Sequence, residues 1–197
     1  MDPKETFIRA DRRLDEVIAS IRDEQWAMTV PSDFAMRAVD RSPTLREVVA
    51  YHAYDDDWVP DMLAGRTMAQ VGEKTYPADG LGDDPKAAFA AIVDKACAAA
   101  AALNDLDRTV HCSFGDFSAR DYLLQANYFR GLRSWDIARV IGVDPTIPDD
   151  LAASLFEQLG PHAEQYRAIG VFPPEVAVPS DASAQDRLLG MTGRNPG

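Results

Sequence analysis

Apolar residues recur at intervals of three or four positions in four long stretches of the chain, a period that predicts four amphipathic helices. The first stretch covers residues 4–25, and its apolar face consists of Phe7, Leu14, Val17, Ile18 and Ile21. The last ends near Val140, which shares one helix face with Phe129 and Ile137. Each helix is therefore expected to bury one face against the others.

Residues that favour helix N-termini stand before the other three stretches. Ser42 suits the N-cap of the second helix, because Pro43 would then occupy the first turn, where a missing N–H costs nothing. Asp84 is the predicted N-cap of the third helix. Ser118 is the predicted N-cap of the fourth, with Asp121 three residues on in a capping box.

Glycine and proline predict where these helices end. The second helix should run to about Ala64 and stop at Gly65, with a kink or local break at Pro60. Residues 66–82 are rich in glycine and proline and are expected to form a loop. Alternation and a glycine in residues 109–117 predict a small hairpin, and the fourth helix should end at Gly142.

The character of the chain changes at Val143, where prolines become frequent. Two short helices are expected there, at about residues 148–158 and 183–191. The pattern thus predicts an all-α fold: a four-helix bundle over residues 1–142, with a small hairpin. Residues 143–197 are expected to form an irregular C-terminal arm that packs on the bundle within the same domain.

Charge and composition limit the classes of molecule that this chain could bind and indicate where it is located. The chain has 197 residues and a formal net charge of −12, which disfavours nucleic acid and anionic membranes. No apolar run approaches the roughly 20 residues that span a bilayer, and the charged N-terminus lacks a signal-peptide core, so we expect a cytoplasmic protein. Two cysteines are too few for a disulfide framework and lack zinc-site spacing, and Cys97 is expected in the core.

Two spots on the predicted helices could carry chemistry. His52 and Asp56 are four residues apart and could hold one metal, although two ligands alone do not make a site. Arg133 lies on the apolar face between Phe129 and Ile137, an unusual place for a charge, because an unpaired buried charge is costly. The arginine therefore needs a partner, which makes it the residue to explain.

Three segments together resemble one protein family. LREVVAYHAYDDDWVPDMLAG resembles the second helix of the DinB-like four-helix bundle proteins. LRSWDIARVIGVD and VFPPEVAVPSDASAQDRLLGMTGRNP resemble the fourth-helix motif and the C-terminal signature of their actinobacterial branch, which is related to the metal-binding domain of mycothiol-dependent maleylpyruvate isomerase. The resemblance covers nearly the whole chain.

The resemblance implies that this chain has lost the metal site of the family. That site uses a histidine on the second helix and an acidic residue and a histidine on the fourth. Counted from the tryptophans of the two motifs, the matching positions here are Tyr51, Phe129 and Arg133. His52 is off by one position, a rotation of about 100° on a helix. We therefore expect neither a metal nor another cofactor.

The expected function is that of a metal-free DinB-like protein that binds, and could transform, a small organic molecule in the bundle cleft. Arg133 would replace the charge of the metal and face Tyr51, with Asp55 or a bound anion as its partner. Phe129 would complete the ligand-binding set, and Tyr51 and Arg133 would be the catalytic residues of any reaction. Trp135 and Asp136 are expected to be structural.

Two other functions remain open from sequence. One is a metal-dependent, thiol-linked transferase or isomerase like the characterised members of the family, with ligands shifted to His52 and nearby acids. The other is a non-catalytic interaction domain in which Arg133 belongs to a core ion pair. Exposed helix faces also leave a homodimer open, and the sequence does not decide whether the chain is an enzyme.

Overall fold

The chain folds mainly into helices, as a computed structural model shows for residues 1–31, 34, 41–72 and 74–197. The predicted all-α class is confirmed. The long helices are α1 (Pro3–Ala19), α2 (Leu45–Leu63), α4 (Pro85–Ala102) and α5 (Ala119–Ile141). The shorter ones are α3 (Met68–Val71), α6 (Asp149–Leu159), α7 (Ala163–Ala168) and α8 (Ala184–Met191). Strands β1 (Thr109–Cys112) and β2 (Gly115–Ser118) form the predicted hairpin between α4 and α5.

Side-chain caps begin the long helices, with one correction to the sequence-based boundaries. Asp84 accepts a hydrogen bond from the Ala87 amide and Ser118 accepts one from the Asp121 amide, which confirms these two caps. The predicted cap at Ser42 is wrong, because Thr44 caps α2 instead. Thr44 and Glu47 form a capping box that satisfies two backbone donors reciprocally.

Two predicted boundaries also change. Helix α2 continues through Pro60, so the local break is absent there. The preceding residues Trp58 and Val59 are buried. Helix α1 ends at Ala19, before the predicted residue 25, and a short 3-10 turn follows at Asp23–Gln25. The predicted loop 66–82 contains α3, and its residue 73 lies outside the described residues.

The apolar faces meet in a shared interior. Helix α1 packs against α4 and α5, and α2 packs against α4. The predicted face of the first helix is buried, as is Cys97 on α4. None of the helices within the described ranges is long and apolar enough to cross a membrane.

The C-terminal residues pack closely on this interior. Helix α6 contacts α1 and α5, and α8 contacts α6. Gly131 permits the approach of α6 to α5, because a Cβ there would lie 2.4 Å from Leu155 Cδ1. A larger residue at 131 would require the Leu155 side chain to shift. The C-terminal segment is thereby held against the face of α5 that carries the charged residues described next.

Candidate functional site

Helix α5 carries two buried arginines, Arg130 and Arg133, about one helical turn apart. Their exposed fractions are only 3% and 6%. Buried guanidinium groups need partners, so the groups around each arginine are described in turn. Arg130 turns toward α1 and α2, whereas Arg133 faces the segment that follows α7 and the end of α8.

Arg130 lies in a sealed ionic cluster with Asp11 of α1 and Asp56 of α2. Its Nε donates to Asp56 Oδ1 at 2.8 Å, and its Nη2 also contacts that oxygen. Asp11 Oδ1 lies 3.4 Å from Arg130 Nε. Both aspartates are completely buried, so water does not screen these charges. This Asp11–Asp56–Arg130 group is called the sealed cluster below.

Burial makes the two carboxyl groups of the sealed cluster harder to ionise. Burial, and then the negative charge of Asp56, raise the pKa of Asp11 well above its usual value. Burial also raises the pKa of Asp56, but Arg130 opposes that shift. Asp11 is therefore the carboxyl that more readily holds a proton, and Asp56 is the one that pairs with Arg130.

His52 lies beside the same charges on α2 and is also completely buried. Burial lowers its pKa well below the usual value, and the positive charges of Arg133 and Arg130 lower it further. The imidazole is thus neutral. Within the described part of the chain, neither of its ring nitrogens has a hydrogen-bond partner.

A cavity of about 590 Å³ opens on the other side of α5. Its walls come from α5, from residues 170–173 after α7, and from residues 192–194 after α8. Four of the described lining side chains are aromatic: Phe34, Tyr128, Phe129 and Phe172. The charged ones are Arg133, Asp136 and Arg194.

The charged end of the cavity has two guanidinium groups and one carboxylate. Arg194 donates to Asp136 through both Nε and Nη2, at 2.9 Å each. Arg133 Nη1 lies 3.5 Å from Asp136 Oδ2, and its guanidinium stacks over Phe34 with 4.7 Å to the ring centroid. Two guanidinium groups and one carboxylate thus border the cavity among the residues that the structure describes.

The aromatic end of the cavity is a packed group of rings. The Tyr128 ring lies 4.7 Å from that of Phe129 and 5.4 Å from that of Phe172, measured between centroids. Tyr166 lies behind them, 5.1 Å from Tyr128. Burial raises the pKa of Tyr128, so its hydroxyl stays protonated. The rings offer apolar faces and edges rather than charge.

A tight turn after α8 aims Arg194 at α5. Gly193 has a φ of +77°, and a Cβ there would lie 2.8 Å from Pro173 Cβ, so glycine is required. The Arg194 amide donates to Leu189 O at 2.8 Å, which closes the helix end. The Arg194–Asp136 pair therefore joins the RLLGMTGRNP and LRSWDIAR segments across the cavity.

The structure brings together part of the predicted site. Arg133 and Phe129 line the cavity. Tyr51 and Asp55 are half-buried on α2, and neither belongs to the described lining, so their ligand-binding role remains a prediction. The carboxylate that the described residues place beside Arg133 is Asp136.

Sequence reasoning missed the partners in both regions. Asp11 interrupts the apolar face of α1, four residues after Phe7 and three before Leu14, and this position was a readable signal. Arg130 lies on a helix that is buried on most sides, so periodicity did not mark it. Arg194 stands 58 residues from Asp136 in sequence, and no local pattern joins them.

The described residues do not fit the metal site that the family resemblance implies. Over residues 1–31, 34, 41–72 and 74–197, no group of three or more His, Cys, Asp or Glu side chains is placed to hold a metal. Asp56, the potential partner of His52, is paired with Arg130. The two thiols are not nucleophiles at neutral pH either, because burial raises the pKa of Cys97 to about 12 and that of Cys112 to about 11.

No protein-family model, curated protein or solved structure matches this chain. The resemblance of its three segments to DinB-like proteins therefore stays a prediction. The grounds for a function are the shape, charge and side chains of the cavity.

Proposed function

We propose that this chain is a DinB-like protein that binds a small organic anion in the cavity beside α5, with no metal ion there. The DinB-like assignment is supported by four long helices in chain order, with a hairpin before the last. It is also supported by the contact between two of the three segments that resemble the family, through Asp136 and Arg194.

The observation that carries the binding proposal is the sharing of one carboxylate by two guanidinium groups. Arg133 and Arg194 both contact Asp136 at the wall of an otherwise apolar cavity. Charge-assisted hydrogen bonds from arginine to an oxyanion are among the strongest in proteins, and they strengthen where water is scarce.

The role of Arg133 is to hold the anionic group, while the apolar walls hold the remainder of the molecule. Its charge is fixed, since arginine does not lose its proton in proteins. Arg133 is buried on a packed helix, so its guanidinium is already held in place and binding costs little side-chain entropy. The proposed function is therefore recognition by a preformed site.

The test measures binding of hexanoate and benzoate to the full chain by isothermal titration calorimetry, at constant ionic strength and with sodium chloride as the blank. We expect saturable binding that weakens with added salt. Arg133→Met should weaken binding about tenfold or more, because it removes a charge-assisted contact and keeps the side-chain length.

The matched control is Arg120→Met, which removes one positive charge from an exposed position on the same helix. This variant should bind both acids like the parent chain. Equal weakening by both variants would indicate a general charge effect. Failure of both acids to bind the parent chain would overturn the proposed function.

A further inference from the structure

We propose that the C-terminal arm, residues 143–197, opens away from α5 as one unit while the four long helices stay folded. Opening removes residues 170–173 and 192–194 from the cavity beside α5, and so exposes the face of α5 that they cover. The movement takes place whether or not an anion binds there. It follows from how the apolar interior is divided between the bundle and the arm.

The apolar interior consists of three clusters, and the arm is not needed for two of them. The first cluster lies between α1, α2, α4 and the end of α5, and it includes Val49 and Val93. The second lies between the same helices and the hairpin, and it includes Phe7 and Val110. Among the residues that the structure describes, neither cluster contains one after Val143. The bundle therefore keeps both clusters when the arm opens.

The third cluster is made mainly by the arm. Its buried members that precede residue 143 are Ala10 on α1 and Tyr128, Leu132 and Trp135 on α5. The others come from the link before α6, from α6, α7 and α8, and from Phe172. Helix α6 also packs on α8. Because the helices of the arm share one cluster against one face of α5, they should be lost together.

A polar network joins the arm to the bundle. Gln158 Nε2 of α6 donates to Thr6 Oγ1 of α1 at 2.8 Å, and Ser154 Oγ lies 2.8 Å from the same oxygen. Asn127 Nδ2 of α5 donates to Gln158 Oε1 at 3.1 Å. Water can replace these hydrogen bonds when the arm opens, so this junction resists separation less than an apolar one of the same size would.

The backbone between the two units can act as a hinge. Residues 142–148 connect α5 to α6 and form neither helix nor strand. Rotation within this stretch moves the arm without altering any of the four long helices. Helices α6 and α8 are too short to keep their hydrogen bonds without packing on α5. Their amides should therefore exchange with solvent each time the arm opens.

The test is native-state hydrogen exchange of the full chain at low urea concentrations. The slowest amides of α6 and α8 should share one protection factor, about tenfold or more below that of the slowest amides of α2 and α4. The slowest amides of α5 should follow α2 and α4, because the bundle still holds that helix. Protection of α6 and α8 equal to that of α2 and α4 would overturn the proposal, and so would unequal protection of α6 and α8.

Two variants show which contacts the open state keeps. Val93→Ala truncates a fully buried side chain of the first cluster, which is intact with the arm closed or open. It should lower the protection of α2 and α4 about tenfold and leave that of α6 and α8 unchanged. Leu155→Ala truncates the third cluster, which is intact only with the arm closed, so it should lower both sets by the same factor.

The decisive result is the effect of Val93→Ala on the arm. If this variant lowers the protection of α6 and α8 as much as that of α2 and α4, the chain opens only as a whole and the proposal is wrong. Ile18→Val is a milder truncation of the same cluster and replaces Val93→Ala if that variant does not fold. Ser154→Ala replaces Leu155→Ala in the same way, since it removes a hydrogen bond of the junction.

Discussion

Arg130 and Arg133 lie on the same helix about one turn apart, and their surroundings differ. Arg130 is enclosed by α1 and α2 and contacts two aspartates that are completely buried. Arg133 borders a cavity and shares its aspartate with a second arginine. On the proposed function, the comparison teaches that residue type and burial alone do not separate a structural charge from a binding charge. The difference lies in whether the partners fill the surrounding space.

Charge balance is reached differently in the two regions. The sealed cluster becomes neutral when Asp11 holds a proton, and it needs nothing from outside except that proton. The described lining of the cavity has one carboxylate and two guanidinium groups, and on the proposed function a bound anion would contact Arg133. The first region should therefore govern the free energy of unfolding, and the second should govern binding.

The largest expected effect is the loss of Arg130. Arg130→Met leaves Asp56 buried without its ion-pair partner, which should lower the free energy of unfolding by about 3 to 5 kcal/mol. Arg133→Met should lower it by less than Arg130→Met does, because Asp136 keeps both bonds to Arg194. Urea denaturation of the two variants measures the contrast.

A second variant checks the cause of that loss. Arg130→Met combined with Asp56→Leu removes both members of the pair and should recover much of the stability. If the double variant is as unstable as Arg130→Met alone, the stranded carboxylate is not the reason. Equal losses in Arg130→Met and Arg133→Met would remove the distinction between the two regions.

The next prediction concerns pH. The folded chain keeps the proton of Asp11 above the ordinary pKa of 3.8, where the unfolded chain has lost it. The folded state then binds more protons, so this group makes the free energy of unfolding fall as pH rises from about 4 through the raised pKa. Asp11→Asn should weaken that fall, as denaturation curves at several pH values would reveal.

Asp55 supplies an internal reference for the pH experiment. Burial raises the pKa of Asp55 to about 6, so Asp55 also makes the free energy of unfolding fall as pH rises, in the parent chain and in Asp11→Asn alike. The difference between the parent chain and Asp11→Asn therefore isolates Asp11. Identical pH profiles for the two chains would show that Asp11 holds no proton in the folded state.

A smaller effect is expected from Asp136→Asn. Two guanidinium groups would lose their shared carboxylate, at a cost of about 1 to 3 kcal/mol. Benzoate should restore part of that loss by supplying an oxyanion to the cavity. Thermal denaturation with benzoate and with chloride at equal ionic strength measures this, and equal rescue by chloride would argue against a specific site.

The smallest expected effect is that of a chelator. Tyr51, Phe129 and Arg133 cannot replace the ligands that the family resemblance implies, and Asp56 is engaged by Arg130. We expect elemental analysis of the purified chain to give no stoichiometric zinc or nickel, and EDTA to leave Tm unchanged. About one metal per chain, lost in His52→Ala, would favour the metal-dependent alternative instead.

Sequence predicted best what is decided locally. The caps at Asp84 and Ser118 and the end of α5 at Gly142 each depend on a few neighbouring residues, and all three hold. The cap of α2 was misplaced by two residues, because Ser42 and Thr44 both suit that role and only Thr44 has Glu47 three positions on.

Contacts between distant segments could not be predicted in the same way. Helix periodicity placed Arg133 on an inward face, and the structure puts it there, at the wall of the cavity. The predicted partner of Arg133 was Asp55 on α2, because helix periodicity relates the faces of helices and says nothing about the path of the C-terminal segment. Asp136 lies on the same helix as Arg133, and its partner Arg194 comes from the C-terminal segment, whose path depends on the turn at Gly193.

The turn at Gly193 also fixes when the chain becomes able to bind. Synthesis proceeds from the N-terminus, so all four long helices and the sealed cluster emerge before residue 194. The interior can therefore form while one wall of the cavity is still missing. On the proposed function, a nascent chain stalled before Gly193 should be compact yet unable to hold an anion, because folding of the interior and completion of the cavity are separated in time.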